Sequence, residues 1–505
     1  MTAGPAGGAS AAAFPGIPAG QREAAALCAR LTGAAQPVET HNSAVFVGPD
    51  RVLKLKKAVD LGFLDFTTLA ARERFCRREL EINTPAAPEV YRTVHAVTRG
   101  ADGTLALDGA GEPVDWVLEM APLPQDGFLG GVLAGGGGGP ALLDALGDMV
   151  AALHAAQPVA SGVDVPASLH GRVEGDLRSA LSAGLPESRM RALAAAQHGW
   201  IDAHAPWLAA RGAADFVRRC HGDLHPGNIV LWRGAPLAFD ALEFDESMAT
   251  IDTGYDLAFL LMELDRGPGR AAANRVLGRT VARNGDAALV GGLPLWLSLR
   301  ALVRAHIRAR TGQDGLPWLD ASEGYLRPVR PRLVAVGGLQ GTGKTWLARA
   351  LAPGIGAAPG ALHLRSDEIR KRLAGVAPET RLPPEAYTPE AGAAVQAELL
   401  RLARESLALG HSVMADATFR EPAARAALAA LARDSGVPFQ GIWLQAPAEV
   451  LRARLAERRG DASDADAAVM EQAAQRDPGP VDWACLDASA DPRPAALALL
   501  AAPVC

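Results

Sequence analysis

The segment CHGDLHPGNIVLW, residues 220–232, decides the fold of the N-terminal part of the chain, and its spacing has two interpretations. His221, Asp223 and His225 alternate, and three ligand-type side chains on one side of an extended segment would suit a metal ion. Alternatively, Asp223 is followed five positions later by Asn228 and then by an apolar strand pattern. That order is typical of a phosphoryl-transfer loop in which the aspartate is the base.

The residues that follow this segment favour the second interpretation. After Asn228 come the strand IVLW, a turn at Arg233-Gly234 and a second strand, PLAFDALEF, which we expect to end at Asp240. Phosphoryl transfer needs a base for the acceptor hydroxyl and oxygen ligands for magnesium. Asp223, Asn228 and Asp240 supply these roles in the required order. The metal-cluster hypothesis lacks further ligands, because the next histidine after His225 is His306.

A predicted β-hairpin near the N-terminus carries a candidate phosphate-binding lysine. The pattern AVFVGPDRVLKLKKA, residues 44–58, gives two strands around a Gly-Pro-Asp turn, with Lys54 and Lys56 on the same face of the second strand. A helix glutamate would have to hold such a lysine, and Glu79 in LAARERFCRRELEIN is the best placed. Taken alone, Lys54 has the competing interpretation of a solvated lysine on an edge strand.

Three stretches, HGDLHPGNI, FDALEFD and DTGYDLAFLLMEL, together resemble the aminoglycoside phosphotransferase-like kinases, nearest to those fused to a P-loop domain. The resemblance covers residues 40–310 and implies a bilobal, protein-kinase-like α+β fold. It implies that Asp223 is the catalytic base and that Asn228 and Asp240 bind Mg²⁺. It also implies that Lys54 and Glu79 form the ion pair on the phosphate side of ATP.

The same resemblance implies that His221 and Asp256 brace the catalytic loop. The sequence departs from the protein-kinase pattern at two points. Asp240 is followed by Ala-Leu rather than Phe-Gly, which argues against a protein substrate. A glycine-rich lid over ATP is also not evident, since VGPD is only a short turn.

The helix pattern PLWLSLRALVRAHIRAR bears on the acceptor. It places Arg300, Arg304 and Arg308 at i, i+4 and i+8 beside an apolar stripe. The resemblance puts acceptors in this part of the fold, and polycationic aminoglycosides would require carboxylates there. We therefore expect a neutral or anionic acceptor, such as a sugar or sugar phosphate, with Arg304 as a candidate contact. The alternative is a solvated basic face whose aliphatic stems cover apolar surface.

The stretch GGLQGTGKTW predicts a second nucleotide site. Gly338, Gly341, Gly343, Lys344 and Thr345 lie directly after the strand RLVAVG and before the helix WLARALA, which is the context of a P-loop. Backbone N–H groups would cradle phosphate, Lys344 would reach the terminal phosphates, and Thr345 would bind Mg²⁺.

The sequence after this loop resembles the small P-loop kinases grouped with polynucleotide kinase and zeta toxin, over residues 332–480. The strand in ALHLRSDEIRKRL is expected to end at Asp367, and the strand in HSVMADATF at Asp416. The resemblance implies an α/β P-loop fold with a mostly parallel sheet, in which Asp367 activates the acceptor hydroxyl and Arg370 orients the acceptor. Asp416 would support Mg²⁺ or the acceptor, and Arg454 and Arg458 would belong to a lid over ATP. Ordinary helix-surface charge is the alternative for the two lid arginines.

These motifs divide the 505 residues into three parts. Residues 1–20, rich in Gly and Pro, are predicted to be a disordered lead-in. Residues 21–327 would form the phosphotransferase-like domain and residues 328–505 the P-loop domain. The stretch TGQDGLPWLDASEGYLRPVRP is predicted to be the linker between them.

The composition restricts the partners. A net charge of −6 gives no electrostatic case for nucleic acid. No apolar run is long enough to cross a membrane, the lead-in has no signal-peptide pattern, and the five cysteines are scattered. We therefore expect a cytoplasmic protein whose partners are ATP, Mg²⁺ and a small hydroxyl acceptor.

The motifs predict a bifunctional small-molecule kinase with two ATP sites. A first alternative is a single kinase regulated by a P-loop domain that binds or hydrolyses ATP. A 5′-kinase or toxin-like activity of the second domain is disfavoured by the acidic chain. A catalytically inactive scaffold is disfavoured by the intact set of Lys54, Asp223, Asn228 and Asp240.

Overall fold

The computed structural model describes residues 14–62, 64–457 and 460–502, and the chain divides into two compact units. The first unit runs to residue 135 and includes residues 157–160 and 218–251. The second unit comprises residues 136–156, 161–217 and the chain from residue 252 onward. The helical segments between residues 136 and 330 thus group largely with the P-loop region. Among the described residues, none of the helices combines the length and apolarity that a membrane span requires.

Residues 14–135 build an antiparallel sheet with strand order β1-β2-β3-β6-β4-β5. The predicted hairpin is β2 and β3, and β6 pairs with β3 on its other side. On β3, Leu53 and Leu55 are buried in a core with α1, whereas Lys54 and Lys56 lie on the opposite face. The elements are α1 (Arg22–Thr32), β1 (Val38–Glu39), β2 (Ser43–Val47), β3 (Val52–Lys56), α2 (Leu69–Asn83), β4 (Tyr91–Arg99), β5 (Leu105–Leu107), β6 (Glu112–Met120) and α3 (Leu129–Ala134).

The predicted lead-in ends earlier than residue 20. Phe14 and Ile17 are fully buried in the core beneath β2 and β3, and the Phe14 ring packs edge-on against Phe46 with centroids 5.8 Å apart. Residues 14–20 are therefore part of the first unit, and the prediction of disorder is wrong for them. The remainder of the lead-in lies outside the described residues.

The middle of the chain is mainly helical. Its helices include α4, α5 and α6 before residue 220 and α8, α9, α10 and α11 after residue 252. The elements are α4 (Pro140–Ala156), α5 (Val165–Ser182), α6 (Glu187–Ala213), β7 (Val217–Arg219), β8 (Ile229–Trp232), β9 (Ala235–Ala238), α7 (Glu246–Ala249), β10 (Thr250–Asp252), α8 (Thr253–Arg266), α9 (Arg270–Asn284), α10 (Leu293–Arg310) and α11 (Leu316–Tyr325).

Two Gly-containing segments of the chain, one of them the predicted linker, include helices. The glycine-rich stretch at 130–140 contains most of α3, and the predicted linker contains α11. Leu319 on α11 is fully buried with Leu302 of α10. Ser322 Oγ donates to the carbonyl of Ser298 at 2.7 Å. The linker prediction was wrong here because the burial of a few apolar residues outweighed the Gly- and Pro-rich local sequence.

Residues 333–501 form a three-layer α/β structure around a fully parallel sheet of order β12-β13-β11-β14-β15. Its first strand, β11, is buried along its whole length, as expected of a parallel strand covered by helices on both faces. The elements are β11 (Leu333–Gly338), α12 (Lys344–Leu351), β12 (Leu362–Arg365), α13 (Ser366–Leu373), α14 (Pro389–Ala408), β13 (Val413–Asp416), α15 (Pro422–Asp434), β14 (Phe439–Gln445), α16 (Ala448–Glu457), α17 (Ala467–Ala474), β15 (Ala484–Asp487) and α18 (Arg493–Ala501).

Within the second unit, α9 packs directly against the P-loop region. Asn274 Nδ2 donates to the carbonyl of Ala361 at 2.9 Å. Arg279 binds Glu379 through two nitrogens, at 2.7 and 3.0 Å, while it also holds Asp148 of α4. A Cβ added at Gly278 of α9 would be in ordinary van der Waals contact with His363 on β12, 4.0 Å from its Cβ. The helical segments and the P-loop region therefore share a polar, close-packed interface.

Candidate active sites

His221 of the predicted catalytic loop forms hydrogen bonds with the backbone through both ring nitrogens. His221 Nε2 lies 2.9 Å from the carbonyl of Phe239, and the Asp223 N–H donates to His221 Nδ1 at 3.3 Å. Because both ring nitrogens already have protein partners, His221 cannot also coordinate a metal ion. The geometry therefore contradicts the HxDxH metal cluster and supports the expected bracing role of His221. Asp256 is completely buried within the second unit, where it accepts from His154 Nε2 at 3.0 Å.

Asp223 and Asn228 face each other across the loop. Asn228 Nδ2 donates to both the carbonyl oxygen and Oδ2 of Asp223, each at 3.0 Å. This pair of bonds fixes the amide so that its oxygen, the atom able to bind a cation, points away from Asp223. His225 Nε2 lies 3.4 Å from Asp223 Oδ2 on the loop's other side. The carboxylate is thus held in place by neighbours while its side chain stays 42% exposed.

The hairpin of β8 and β9 returns the chain to the catalytic loop. The Phe239 N–H donates to the carbonyl of Asn228 at 3.0 Å, so that Asp240 follows immediately beside Asn228. β9 ends at Ala238, two residues before the predicted position. Asp240 has φ of 60°, a left-handed conformation that costs a non-glycine residue about 1 kcal/mol, and its N–H donates to the Tyr91 hydroxyl at 2.9 Å. In this backbone conformation the Asp240 carboxylate is directed toward Lys54.

The predicted ion pair is part of a larger buried cluster. Lys54 Nζ lies 2.7 Å from Glu79 Oε1 and 2.7 Å from Asp240 Oδ1. Lys56 Nζ lies 2.7 Å from the other oxygen of Glu79 and 2.5 Å from Glu243 Oε1. Sequence reasoning missed Lys56 and Glu243 as site residues. The available signals were the spacing of Lys56 two residues beyond Lys54 and that of Glu243 three residues beyond Asp240.

Neighbouring charges shift the pKa values of the groups in this cluster. Burial alone would raise the pKa of Glu79, but Lys54 and Lys56 outweigh it and lower that pKa to about 2. The pKa of Lys54 is raised well above its usual value, because Asp240 and Glu79 together overcome the effect of burial. Burial and the proximity of Glu79 raise the pKa of Glu243. Glu79 is therefore the carboxylate that stays ionised between the two lysines.

The P-loop of the second unit has the backbone that its sequence predicts. Gly338, Gly341 and Gly343 have φ of 136°, 83° and 85°, all in the region that favours glycine. A Cβ on Gly341 would lie 2.9 Å from the carbonyl of Leu451, so α16 packs closely against the loop. Lys344 begins α12, and its Nζ donates to the carbonyl of Leu339 at 2.9 Å, across the cradle.

Thr345 and Asp416 come together at the carboxyl end of the sheet. Thr345 Oγ1 donates to Asp416 Oδ2 at 2.6 Å, and His363 Nε2 lies 3.2 Å from the same oxygen. Burial would raise the pKa of Asp416, but His363, Arg365 and Lys344 lower it to about 2. A hydroxyl and an ionised carboxylate at this spacing fit the hard oxygen ligands that Mg²⁺ requires.

Asp367 and Arg370 lie on α13 rather than at a strand end. β12 ends at Arg365, and Asp367 is in the first turn of the helix with its side chain one-third exposed. Arg370 donates to the carbonyl of Ala386 at 3.1 Å, and its guanidinium lies 4.8 Å from the centre of the Tyr387 ring. The predicted strand end at Asp367 was thus two residues too late.

The segment that follows α16 contacts α13 and β12. Asp461 Oδ1 accepts from the buried Arg365 at 2.5 Å, and Asp464 Oδ2 accepts from the buried Lys371 at 2.5 Å. Sequence reasoning did not identify these pairs. Arg454 is half-buried on α16, one turn beyond the Leu451 that touches the P-loop. Arg458 lies outside the described residues.

The basic stripe of α10 has partners within the second unit. Arg304 forms a close ion pair with Glu263 and stacks over Phe259, with its guanidinium carbon 4.8 Å from the ring centre. Arg300 is buried, 4.0 Å above the Tyr255 ring. The predicted i, i+4 helical spacing is confirmed, but Arg300 is not a solvated surface charge.

The two sites have the features of ATP-dependent kinases. The first combines a lysine–glutamate pair, an aspartate–asparagine loop and a strained aspartate, and the second is a P-loop on a five-stranded parallel sheet. The chain matches the phosphotransferase enzyme family model over residues 130–289 and an AAA domain model over residues 333–478. It is an ATP-dependent kinase with a phosphotransferase-family domain and a P-loop kinase domain, and the predicted fold class is confirmed.

The chain is also similar to two uncharacterized proteins and to solved kinase structures. Uncharacterized proteins of Mycobacterium tuberculosis and Mycobacterium bovis are each 27% identical over 463 residues, covering 88% of this chain and 90% of theirs. Among solved structures, a gluconokinase from Sinorhizobium meliloti matches 35% of this chain and 94% of its own, with 23% identity and a TM-score of 0.24. A choline/ethanolamine kinase family protein from Mesorhizobium loti matches 61% and 93%, with 14% identity and a TM-score of 0.35.

Proposed function

We propose that the chain is a bifunctional phosphotransferase in which each domain moves the γ-phosphoryl group of ATP to a hydroxyl of a small neutral or anionic acceptor, such as a sugar or sugar phosphate. The observation that carries this proposal is that each unit has its own lysine close to a carboxylate at a predicted phosphate site. In the first unit Lys54 pairs with Asp240, and Asn228 holds Asp223. In the second unit Lys344 lies near Asp416, which accepts from Thr345.

In the phosphotransferase-family domain, Asp223 accepts the proton of the acceptor hydroxyl as the oxygen attacks phosphorus. Lys54, held by Glu79, neutralises charge on the ATP phosphates. Asn228, through its outward-facing amide oxygen, and Asp240 would hold Mg²⁺, which would supply charge neutralisation on the phosphates. The oxygen donor set fits this ion, and the strained Asp240 backbone keeps its carboxylate in place before ATP arrives.

In the P-loop domain, the backbone N–H groups of residues 338–345 bind the phosphates of ATP, and Lys344 contacts the terminal phosphates. A cavity of about 630 Å³ adjoins the loop and would receive the nucleoside; its lining includes Leu339, Thr342, Arg420 and Arg476. Asp367 is the proposed base and Arg370 the residue that orients the acceptor. Thr345 and Asp416 would hold Mg²⁺, and Arg454 would close over ATP from α16.

The acceptor class is argued from charge. On the P-loop domain, Arg370 lies with Tyr387 beside Asp367, and burial together with Asp464 and Asp367 raises the pKa of the Tyr387 hydroxyl. A neutral hydroxyl and an arginine suit an acceptor with hydroxyl and acidic groups. In the other domain, Arg304 remains the proposed contact, and an anionic acceptor would compete there with Glu263.

A screen of phosphorylated products would test the proposal. The full-length chain is incubated with Mg²⁺-ATP and pools of sugars, sugar phosphates, polyols and organic acids, and products are identified by a mass increase of one phosphoryl group. Asp223→Asn and Asp367→Asn are run in parallel. The proposal expects two product classes, each removed by one of the variants. Loss of ATP without any phosphorylated acceptor would contradict it.

A second candidate is a single kinase regulated by its P-loop domain. The packing of α9 against β12, the strand that carries His363, favours it, because His363 Nε2 also lies 3.2 Å from Asp416 Oδ2 in the predicted magnesium site. ATP bound at the P-loop would then alter the packing of α9. This candidate expects that Lys344→Ala changes the rate of the phosphotransferase-family domain, whereas the bifunctional proposal expects that rate to be unchanged.

A further inference from the structure

Helices α5 and α6 each carry a histidine with a carboxylate four residues later. His170 and Glu174 lie on α5, and His198 and Asp202 lie on α6. The pairs are crossed between the helices. His170 Nε2 lies 3.1 Å from Asp202 Oδ1, and His198 Nε2 lies 2.9 Å from Glu174 Oε1. The two ring planes are inclined by 24° with their centroids 4.8 Å apart, and the Nδ1 atoms meet edge to edge, only 2.6 Å apart.

This hydrogen-bond pattern fixes where the ring hydrogens lie. An ionised carboxylate only accepts hydrogen bonds, so each Nε2 must carry a hydrogen to donate to its carboxylate. A neutral imidazole that is protonated at Nε2 has a lone pair at Nδ1. The two Nδ1 lone pairs therefore point at each other at 2.6 Å. Such a contact is repulsive unless the nitrogens share a proton or both lone pairs bind one metal ion.

We propose that His170 Nδ1 and His198 Nδ1 together bind one divalent transition-metal ion of the zinc class. Imidazole nitrogen is a preferred ligand of such ions, whereas Mg²⁺ prefers oxygen. Zinc bound to two imidazoles at about 2.1 Å holds the nitrogens roughly 3.0–3.4 Å apart, so the rings would need to separate only slightly. The side chains are 33% and 27% exposed, so water can complete the coordination.

Glu174 and Asp202 complete the arrangement. A histidine that binds a metal commonly donates its other ring N–H to a carboxylate, which fixes the tautomer and makes the ligand more basic. Both histidines already have that carboxylate before any ion is bound. The ion would cross-link α5 to α6, and since it would bind only the native pairing, it would stabilise the helical segment against unfolding.

The test uses the full-length chain, stripped of metals with a chelator and kept in millimolar Mg²⁺ so that oxygen-rich sites are filled. Zn²⁺ binding is measured by equilibrium dialysis and thermal unfolding for the wild type, His170→Asn and His198→Asn. The matched control is His204→Asn, a histidine of α6 whose Nδ1 bonds the carbonyl of Trp200 at 2.8 Å. We expect the wild type and the control to bind one more Zn²⁺ than either variant, with a higher unfolding temperature in zinc.

Glu174→Gln and Asp202→Asn provide a graded test, since each should weaken Zn²⁺ binding about tenfold or more without abolishing it. A readout that needs no variant is electron paramagnetic resonance of the wild type with one equivalent of Cu²⁺, which should show coupling to two imidazole nitrogens. Equal zinc stoichiometry in all chains would overturn the proposal. So would a Cu²⁺ spectrum without imidazole coupling, which would leave a shared proton as the cation between the rings.

Discussion

Lys56 Nζ lies 2.7 Å from Glu79 Oε2, while Lys54 occupies the other oxygen of the same carboxylate. A single glutamate is therefore divided between two lysines of one strand. Lys54 extends toward Asp240 and Lys56 toward Glu243, so that α2, β3 and the segment after β9 are joined through Glu79.

Replacing the second lysine tests this arrangement. Lys56→Met removes the charge that faces both Glu79 and Glu243 while it keeps most of the side-chain volume. Breaking a buried ion pair from one side typically costs about 3–5 kcal/mol, because a carboxylate is left without its counterion. We expect a loss of that order in the free energy of unfolding and a raised KM for ATP. Chemical denaturation and steady-state kinetics measure the two effects.

Two further variants give the controls for that change. Lys57→Met affects the adjacent lysine, which binds the partly exposed Glu39, and should leave the KM for ATP unchanged. The double variant Lys56→Met with Glu243→Leu should recover part of the stability, since both charges are removed. Absence of recovery would mean that Lys56 and Glu243 are not coupled.

Asp223→Asn tests the base. An amide cannot accept the acceptor's proton, so kcat for the phosphotransferase-family activity should fall by about 10²–10⁴ while the KM for ATP stays the same. Asp245→Asn is a suitable control, because that carboxylate caps α7 by accepting from the N–H groups of Ser247 and Met248 and from the Ser247 hydroxyl. A variant that retained more than about a tenth of the wild-type rate would show that Asp223 is not the base.

Arg304→Gln and Glu263→Gln distinguish acceptor binding by Arg304 from a purely structural ion pair with Glu263. If Arg304 binds an anionic acceptor, its replacement should raise the acceptor KM several-fold and leave the KM for ATP unchanged. Removing Glu263 frees the guanidinium and should lower the acceptor KM or leave it as it is. If the pair is structural, both variants should instead lower the unfolding temperature by similar amounts, with identical kinetics.

The low pKa of Asp416 predicts a dependence of stability on pH. Its pKa of about 2 lies below the ordinary 3.8, so the native state favours the charged carboxylate. This contribution, about 2 kcal/mol, is fully present above pH 4 and is lost as the pH falls through 3.8 toward 2. In Asp416→Asn, the free energy of unfolding should therefore change less across this range. Asp434→Asn, at the exposed end of α15, should retain the wild-type slope.

Lys344→Ala addresses the independence of the two activities. Without the ammonium, charge on the terminal phosphates lacks a counterion only in the P-loop cradle. We expect this variant to lose the P-loop activity and keep the other, and Asp223→Asn to do the reverse. Product formation by each domain is measured in the same reaction mixture. If either change silenced both activities, regulation of one domain by the other would replace the two-enzyme proposal.

The sequence predicted which side chains come together wherever they are close along the chain. Asp223, Asn228 and Asp240 lie within one short stretch, and Lys344 and Thr345 lie within a P-loop. Lys56 and Glu243 are 187 residues apart and meet only because the segment after β9 returns to β3. Similarly, Arg365 meets Asp461 through the return of the segment after α16. Such pairs depend on tertiary packing, which local patterns do not encode.

The interface on α9 also constrains how this protein can be divided or recombined. Asn274 and Arg279 belong to the N-terminal side of the predicted boundary at residue 327, yet they bind Ala361 and Glu379 beyond it. A chain ending at residue 327 would leave the buried Asn274 amide without its acceptor. Exchange of the P-loop domain with that of a relative should therefore succeed only when α9 is exchanged with it. Because both domains depend on this helix, we expect them to be inherited as one chain.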